Sequence, residues 1–360
     1  MDPIANHYLD NIESYKPGKS KLKDLSKIIK LSSNENPLGT SPRAIKEYKK
    51  HSKEVFRYAS GDCYDLRDAL SKKHNININQ IVCGAGSDEI LALIAQGYAG
   101  TGDEIIYSEH GFLMYPISAK RVGAKPVSAK ETSLRTDIKE IIAQINKRTK
   151  IIFIANPNNP TGSYLTDEEI NELVNKTPEN VIIVLDHAYD ELATATDYPN
   201  AIEIAKKYPN VIVTRTFSKI YGLASLRIGW CYASQNIIDV LNKVRGPFNV
   251  SGAAQRAAIG ALEDIKFLEK SQNHNSKWLE FINIELSKIN DIKTYPSQGN
   301  FILIDFLTSK KALEINEALL NKGIILREMT SYHLPTCLRM TIGTEKENII
   351  VIKELKKLLS

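Results

Sequence analysis

Residues 211–230 read VIVTRTFSKIYGLASLRIGW, and the reading of the 360-residue chain turns on this stretch. Val211-Ile212-Val213 is a β-branched apolar run of the kind that forms a buried strand. It leads to Lys219, which follows the hydroxyls of Thr216 and Ser218, and Arg227 comes eight residues later. An arbitrary lysine is usually a solvated surface charge. At the end of a buried strand, beside hydroxyls and a guanidinium, its amine can instead condense with an aldehyde cofactor while its neighbours hold that cofactor's phosphate.

On either side of this stretch, strand-like segments are expected at 81–83, 104–107, 125–128, 150–155, 181–186 and 228–233. Helical patterns fall near 113–122, 136–147, 166–176 and 201–207. This alternation, with near-continuous apolar strands such as IIFIA and VIIVL, predicts an α/β fold with a mostly parallel sheet between helices. Ligands of such sheets lie beyond the carboxyl ends of the strands. The helical pattern of 41–74 breaks at Arg57–Gly61, which puts Tyr58 on a loop. A proline-free stretch from Ser251 to Lys288 reads as one long helical connection. Beyond it come a strand at 300–306, a helix at 310–322, a short strand at 324–327, a strand at 337–342 and a helix at 346–359. The expected division is a large cofactor-binding domain over 41–270. Residues 1–40 with 271–360 would supply an N-terminal arm and a smaller α+β domain that closes on substrate.

Composition narrows the function. A net charge of +5, from 47 Lys and Arg against 42 Asp and Glu, falls well short of a nucleic-acid footprint. Cys63, Cys83, Cys231 and Cys337 are scattered, which suggests neither a zinc site nor a disulfide framework and fits a reducing cytoplasm. No secretory signal is visible, and no apolar run approaches the roughly 18–20 residues that span a bilayer. The expectation is a soluble cytoplasmic protein that uses no metal.

Further groups of residues follow strand ends. Gly84-Ala85-Gly86-Ser87-Asp88-Glu89 opens an apolar helix and offers free N–H groups as a phosphate seat. Ser87 or Asp88 could equally be an ordinary N-cap. Asn156-Pro157-Asn158-Asn159-Pro160-Thr161-Gly162 is either a plain turn or a set of amide donors for a phenolic oxygen. Asp186 closes a buried strand, where an isolated carboxylate is costly, so it needs a cationic or donor partner unless it merely caps a helix. Tyr189 lies three residues on, and His187 reads as a packing neighbour. Arg327 and Arg339 interrupt apolar strands near the C-terminus, pointing to a bidentate anionic partner or to an internal salt bridge.

The order NPTG, Asp-x-x-Tyr, Ser-Lys, an arginine eight residues on and a late arginine resembles the fold-type I pyridoxal-phosphate-dependent transferases, class I/II aminotransferases. Within that family the chain is similar to the histidinol-phosphate branch. That likeness rests on Tyr15-Lys16-Pro17-Gly18-Lys19, Leu31–Pro37, Arg57-Tyr58, Thr216–Lys219, Gly222–Arg227, Leu326-Arg327 and Leu338–Thr341. The resemblance implies pyridoxal 5'-phosphate held by Lys219 as a Schiff base, with Lys219 as proton shuttle. Asp186 would keep the ring nitrogen protonated, while Tyr189 and Asn159 would bond the phenolic oxygen and Phe112 would stack on the ring. Gly86, Ser87, Asp88, Thr216, Ser218 and Arg227 would form the phosphate end, with Tyr58 reaching it from the second subunit of a homodimer. Tyr15, Asn34, Arg327 and Arg339 would grip the amino donor, histidinol phosphate, and the oxo-acid acceptor, 2-oxoglutarate. Other chemistries open to this scaffold are aromatic amino-acid transamination and decarboxylation of a phosphorylated amino acid. The segment 328–336, EMTSYHLPT, varies freely in the family and leaves substrate choice open.

Overall fold

The computed structural model of the chain describes residues 4–10, 12, 19 and 28–359. The central sheet is built from β1 (Ile81–Gly84), β2 (Glu104–Ser108), β3 (Lys125–Ala129), β4 (Thr149–Ala155), β5 (Ile182–Asp186), β6 (Val211–Thr216) and β7 (Gly229–Tyr232). Their spatial order is β1-β7-β6-β5-β4-β2-β3. Neighbours run parallel except β7, which is antiparallel to both β1 and β6.

The apolar runs are continuous because both faces of the sheet are covered. Ile183 and Leu185 of β5 enter one apolar cluster, whereas Ile182 and Val184 enter another. The strands β4 and β6 divide in the same way: Ile152 and Val213 go to the first cluster, Phe153 and Ile212 to the second. Each such side chain contributes ~1.5–3 kcal/mol on burial. The strand ends are therefore rigid platforms for the loops that follow them.

A second, antiparallel sheet contains Lys293–Thr294, Phe301–Asp305, Cys337–Thr341 and Arg327–Glu328, in that spatial order. Its core includes Trp278, Ile282, Phe306, Leu319, Met340 and Leu355, drawn from the sheet and from the helices Ile265–Leu286, Ser309–Asn321 and Glu345–Leu359. Ile29–Lys30 pairs in parallel with Ile324–Ile325, so the segment near residue 30 belongs to this part of the molecule. Among the described residues no helix is long and apolar enough to cross a membrane.

Several sequence-based expectations need correction. The stretch 251–288 is two helices, Gly252–Leu262 and Ile265–Leu286. Asp264 divides them: its carboxylate accepts from Phe267 N at 3.2 Å as an N-cap and from the Ser41 hydroxyl at 2.6 Å. The segment 324–327 is likewise no single strand. Ile324–Ile325 pairs with the N-terminal segment and Arg327–Glu328 with the small sheet, so Leu326 is where the chain changes partners. The helix expected over 136–147 shortens to Ile138–Ala143. An amphipathic helix at Gln235–Val244, which buries Ile237, Ile238 and Leu241, was not anticipated.

Candidate active site

Because β4, β5 and β6 are parallel, the loops after them emerge on one side of the sheet. These loops carry Asn159, Tyr189 and Lys219, while Asp186 is the last residue of β5. All four face a cleft of about 410 Å³, together with Asn34, Ser87, Asp88, Phe112, Thr216, Ser218, Arg227, Arg327 and Arg339.

Asp186 stands on the floor of the cleft. Thr214 Oγ1 donates to its Oδ1 at 2.8 Å and the Tyr115 hydroxyl to its Oδ2 at 2.9 Å. Tyr115 is itself fixed by stacking on Phe153, with ring centroids 4.8 Å apart. Burial raises the Asp186 carboxyl to about 6 despite those donors and the nearby Lys219 charge. A carboxylate so placed is stabilised by a cation entering the cleft. Burial also drives the Tyr115 phenol well above its ordinary value, which keeps it a neutral donor.

The anion-binding end is built on the helix Ser87–Tyr98. Its N-cap is Gly86, at φ +87°, and no side chain caps it, so neither Ser87 nor Asp88 serves as the N-cap. A Cβ on Gly86 would lie 2.5 Å from Arg227 Nη2, so only glycine lets that guanidinium approach the helix terminus. Arg227 Nη1 donates to Ser218 Oγ at 3.3 Å, and Thr216 Oγ1 donates to Ser218 Oγ at 3.0 Å. Asp88 pairs with Arg227 Nη2 at 3.4 Å, so its carboxylate orients the arginine. Backbone N–H groups, two hydroxyls and a guanidinium thus converge at this end of the cleft, a donor set that could hold a phosphate.

Lys219 lies between this seat and Tyr189, with Nζ 5.6 Å from the tyrosine ring centroid. Asn34 Nδ2 donates to the Tyr189 hydroxyl at 2.9 Å, which leaves the phenolic proton for a second acceptor. Asn34 is held in turn by Thr341: its N–H donates to Thr341 Oγ1 at 2.9 Å, and its Oδ1 accepts from the same hydroxyl at 3.0 Å. On the same strand as Thr341, Arg339 Nη1 donates to Asn159 Oδ1, and its Nη2 donates to Ser32 O at 3.1 Å. Asn159 therefore has its amide N–H₂ available as a donor. The Arg339 guanidinium also lies 5.2 Å from the Phe301 ring centroid, and in the small sheet Arg339 is directly opposite Arg327.

Not every expected residue is at the cleft. Tyr58 is 85% exposed and stacks on Phe248, with centroids 4.6 Å apart. Tyr15 lies outside the described residues. His187, read from the sequence as a packing neighbour, is fully buried with its ring against Asp190. The sequence reading missed Tyr115, Thr214, Tyr332 and the Lys30–Glu35 ion pair. Tyr332 and both members of that pair line the cleft, and the pair is 2.7 Å apart. Tyr115 was visible in the phrase HGFLMY, but only the packing of β2, β4 and β5 shows that it reaches Asp186.

The donor set fits one kind of guest: a flat, phosphate-bearing aromatic aldehyde with a basic ring nitrogen. The buried Asp186 would meet the nitrogen, Lys219 the aldehyde and the Ser87–Arg227 seat the phosphate.

A family model for the aminotransferases of class I and II matches residues 26–355. A histidinol-phosphate aminotransferase of Paramagnetospirillum magneticum is 43% identical over 357 residues, which are 99% of this chain and 98% of that protein. One from Rhodopseudomonas palustris is 42% identical over 360 residues, with 99% and 98% covered. The crystal structure of histidinol-phosphate aminotransferase from Sinorhizobium meliloti in complex with pyridoxal-5'-phosphate superposes with a TM-score of 0.86 at 26% identity, covering 92% of this chain and 91% of that one. A Thermus thermophilus aspartate aminotransferase mutant, 18% identical, shares the fold along the whole of both chains with a TM-score of 0.86.

Proposed function

The chain belongs to the aminotransferase class I and II family, and we propose that it transfers the amino group of L-histidinol phosphate to 2-oxoglutarate. The products are imidazole acetol phosphate and L-glutamate, the cofactor is pyridoxal 5'-phosphate, and the pathway is histidine biosynthesis. The observation that carries this reading is the placement of Arg327 directly opposite Arg339 beside the cleft lined by Asp186, Tyr189 and Lys219. Two adjacent guanidiniums suit an amino donor that bears a phosphate and an oxo acid that bears two carboxylates.

When bound, the cofactor supplies an aldehyde carbon for the amino group and a protonated ring that accepts electron density from the substrate's Cα. The residues of the chain do the rest. Lys219 would hold the aldehyde end of the cofactor, and its amine is the group placed to take and return the proton at the substrate's Cα. Asp186, backed by Thr214 and Tyr115, keeps the ring nitrogen charged. Tyr189 and Asn159 donate to the phenolic oxygen, and Phe112 packs on the ring face. Gly86, Ser87, Thr216, Ser218 and Arg227 hold the phosphate. Asn34, Arg327, Arg339 and Tyr15 orient the substrates.

Residues 41–270 serve as the cofactor-binding unit, and 1–40 with 271–360 as the unit that closes on substrate. Separate apolar cores beneath the two sheets support this division. The enzyme works as a homodimer in the cytoplasm. Val55, Phe56 and Tyr58 are 69%, 76% and 85% exposed, an apolar patch suited to contact with a second copy, and from it Tyr58 reaches the cofactor phosphate of that copy. The four cysteines are free thiols, as a reducing compartment requires.

The test is glutamate formation from histidinol phosphate and 2-oxoglutarate by cofactor-loaded protein, with Lys219→Ala as control. Turnover is expected in the wild type and a loss of about a thousandfold or more in the variant. Activity on phenylalanine but not on histidinol phosphate would instead make this an aromatic aminotransferase. Carbon dioxide release without any oxo acid would make it a decarboxylase.

A further inference from the structure

Arg215 sits between Thr214 and Thr216 on β6, yet its side chain leaves the opposite face of the sheet from theirs. Its guanidinium is enclosed, with only 8% of the side chain exposed. Nη2 lies 2.5 Å from Asp190 Oδ2, Nη1 lies 3.7 Å from Glu191 Oε1, and the group lies 5.8 Å from the Trp230 ring centroid. The second oxygen of Asp190 is 2.9 Å from His187 Nδ1. The Tyr198 hydroxyl is 3.0 Å from the same nitrogen and donates to the Asn156 carbonyl at 2.5 Å.

None of these groups lines the cleft. Several are nonetheless close chain neighbours of residues that do. His187 follows Asp186, Asp190 follows Tyr189, and Asn156 opens the turn that carries Asn159. Arg215 itself separates the Thr214 hydroxyl that supports Asp186 from the Thr216 hydroxyl of the phosphate seat. The cluster also reaches the helix that leads into the small sheet, because Gln272 Nε2 donates to Glu191 O at 2.7 Å.

We propose that Arg215 is a positioning residue for the transamination: the buried cluster it forms with Asp190, Glu191, His187 and Tyr198 pins from behind the two segments that present Asn159, after β4, and Asp186 and Tyr189, at the end of β5, to the cofactor ring. The inference rests on the function proposed above. Removing the guanidinium leaves Asp190 and Glu191 buried without their counter-charge, and the loops then relax toward other partners. A shift of about an ångström in such groups lowers turnover by about a hundredfold. The cluster acts directly on ring contacts and reaches the substrate-binding Arg339 only through its bond to Asn159, so kcat falls by a larger factor than KM changes.

The test compares cofactor-loaded wild type with Arg215→Lys, Arg215→Met and Tyr198→Phe. The last removes the hydroxyl joining His187 to Asn156 and changes no charge. The readouts are the pH midpoint of the lysine-linked cofactor absorbance, the cofactor dissociation constant and the split between kcat and KM. A wild type with neither lysine-linked cofactor nor turnover would defeat the functional reading itself. Given an active wild type, the proposal expects an upward midpoint shift and a fall in kcat of about tenfold or more in Arg215→Met and Tyr198→Phe. Substrate KM should change by a smaller factor than kcat, and Arg215→Lys should recover part of the loss. If Arg215→Met is too unstable to purify, Tyr198→Phe and Arg215→Lys decide. Folded variants that keep the wild-type midpoint and kcat would overturn the proposal, and so would an Arg215→Met that melts earlier but has an unchanged midpoint.

Discussion

Arg327 and Arg339 are directly opposed on adjacent antiparallel strands of the small sheet, and both side chains border the same cleft. Like charges directly across a strand pair repel, and an anion held between them removes that repulsion. The two are supported differently. Arg339 is anchored by Asn159 and Ser32 and lies against Phe301, which suits a fixed anion clamp for the glutamate α-carboxylate in one half-reaction and for the substrate phosphate in the other. Arg327 is set at the edge of the sheet, near the N-terminal segment. Arg339→Met is therefore expected to lower kcat/KM for both histidinol phosphate and 2-oxoglutarate by about a hundredfold or more. Arg327→Met should penalise histidinol phosphate by a similar factor and a phosphate-free amino acid much less. Separate half-reaction titrations with each substrate check this. Equal losses for all substrates in Arg327→Met would remove the phosphate from its role.

Gly86 offers a second test. Alanine there must adopt φ +87° and place a methyl group 2.5 Å from Arg227 Nη2. The strain and the displaced guanidinium act together on the phosphate end alone, at about 1–3 kcal/mol. Gly86→Ala is expected to weaken cofactor binding by about tenfold or more and to leave the fold intact. Cofactor titration followed by intrinsic fluorescence checks it. Unchanged affinity would mean that Arg227 does not need that approach.

The Asp186 carboxyl titrates at about 6 because it is buried, against an ordinary value of 3.8. An acid whose pKa is raised on folding binds its proton more tightly in the native state. Stability therefore falls as pH rises from about 4 to about 6 and is level above that. The loss attributable to this one group is of order 3 kcal/mol. Glu191, also raised to about 6 by burial, acts in the same direction. Denaturant unfolding of the cofactor-free protein between pH 4.5 and 7.5 is expected to show that slope, and Asp186→Asn should flatten part of it. Parallel profiles for the two proteins would contradict the assignment.

Much of this arrangement can be read from the chain because parallel strands are written as continuous apolar runs. IIFIA, VIIVL and VIVTRT mark β4, β5 and β6, and their carboxyl ends place Asn159, Asp186 and Lys219 on one side of the sheet. Contacts between residues distant in sequence were not legible in the same way. Tyr115 reaches Asp186 across 71 positions, and Thr341 holds Asn34 across 307, with no local pattern marking either bond. Asp264 shows the converse failure. The helical periodicity of 251–288 continues through it, and only its side-chain bonds to Phe267 and Ser41 show that one helix has ended and another begun. Arg215 was passed over because a single charge inside a strand carries no sign of what lies behind the sheet.

Amino transfer by Lys219 on a phosphate-bearing donor gripped by Arg327 and Arg339 can be followed one substrate at a time. Its most direct test is the half-reaction. Cofactor-loaded protein is mixed with histidinol phosphate, phenylalanine or tyrosine in the absence of any oxo acid, and the decay of the lysine-linked absorbance band is timed. Histidinol phosphate is expected to discharge the band fastest and at the lowest concentration, and 2-oxoglutarate to restore it. A band discharged faster by phenylalanine or tyrosine, or left untouched by histidinol phosphate, would contradict it.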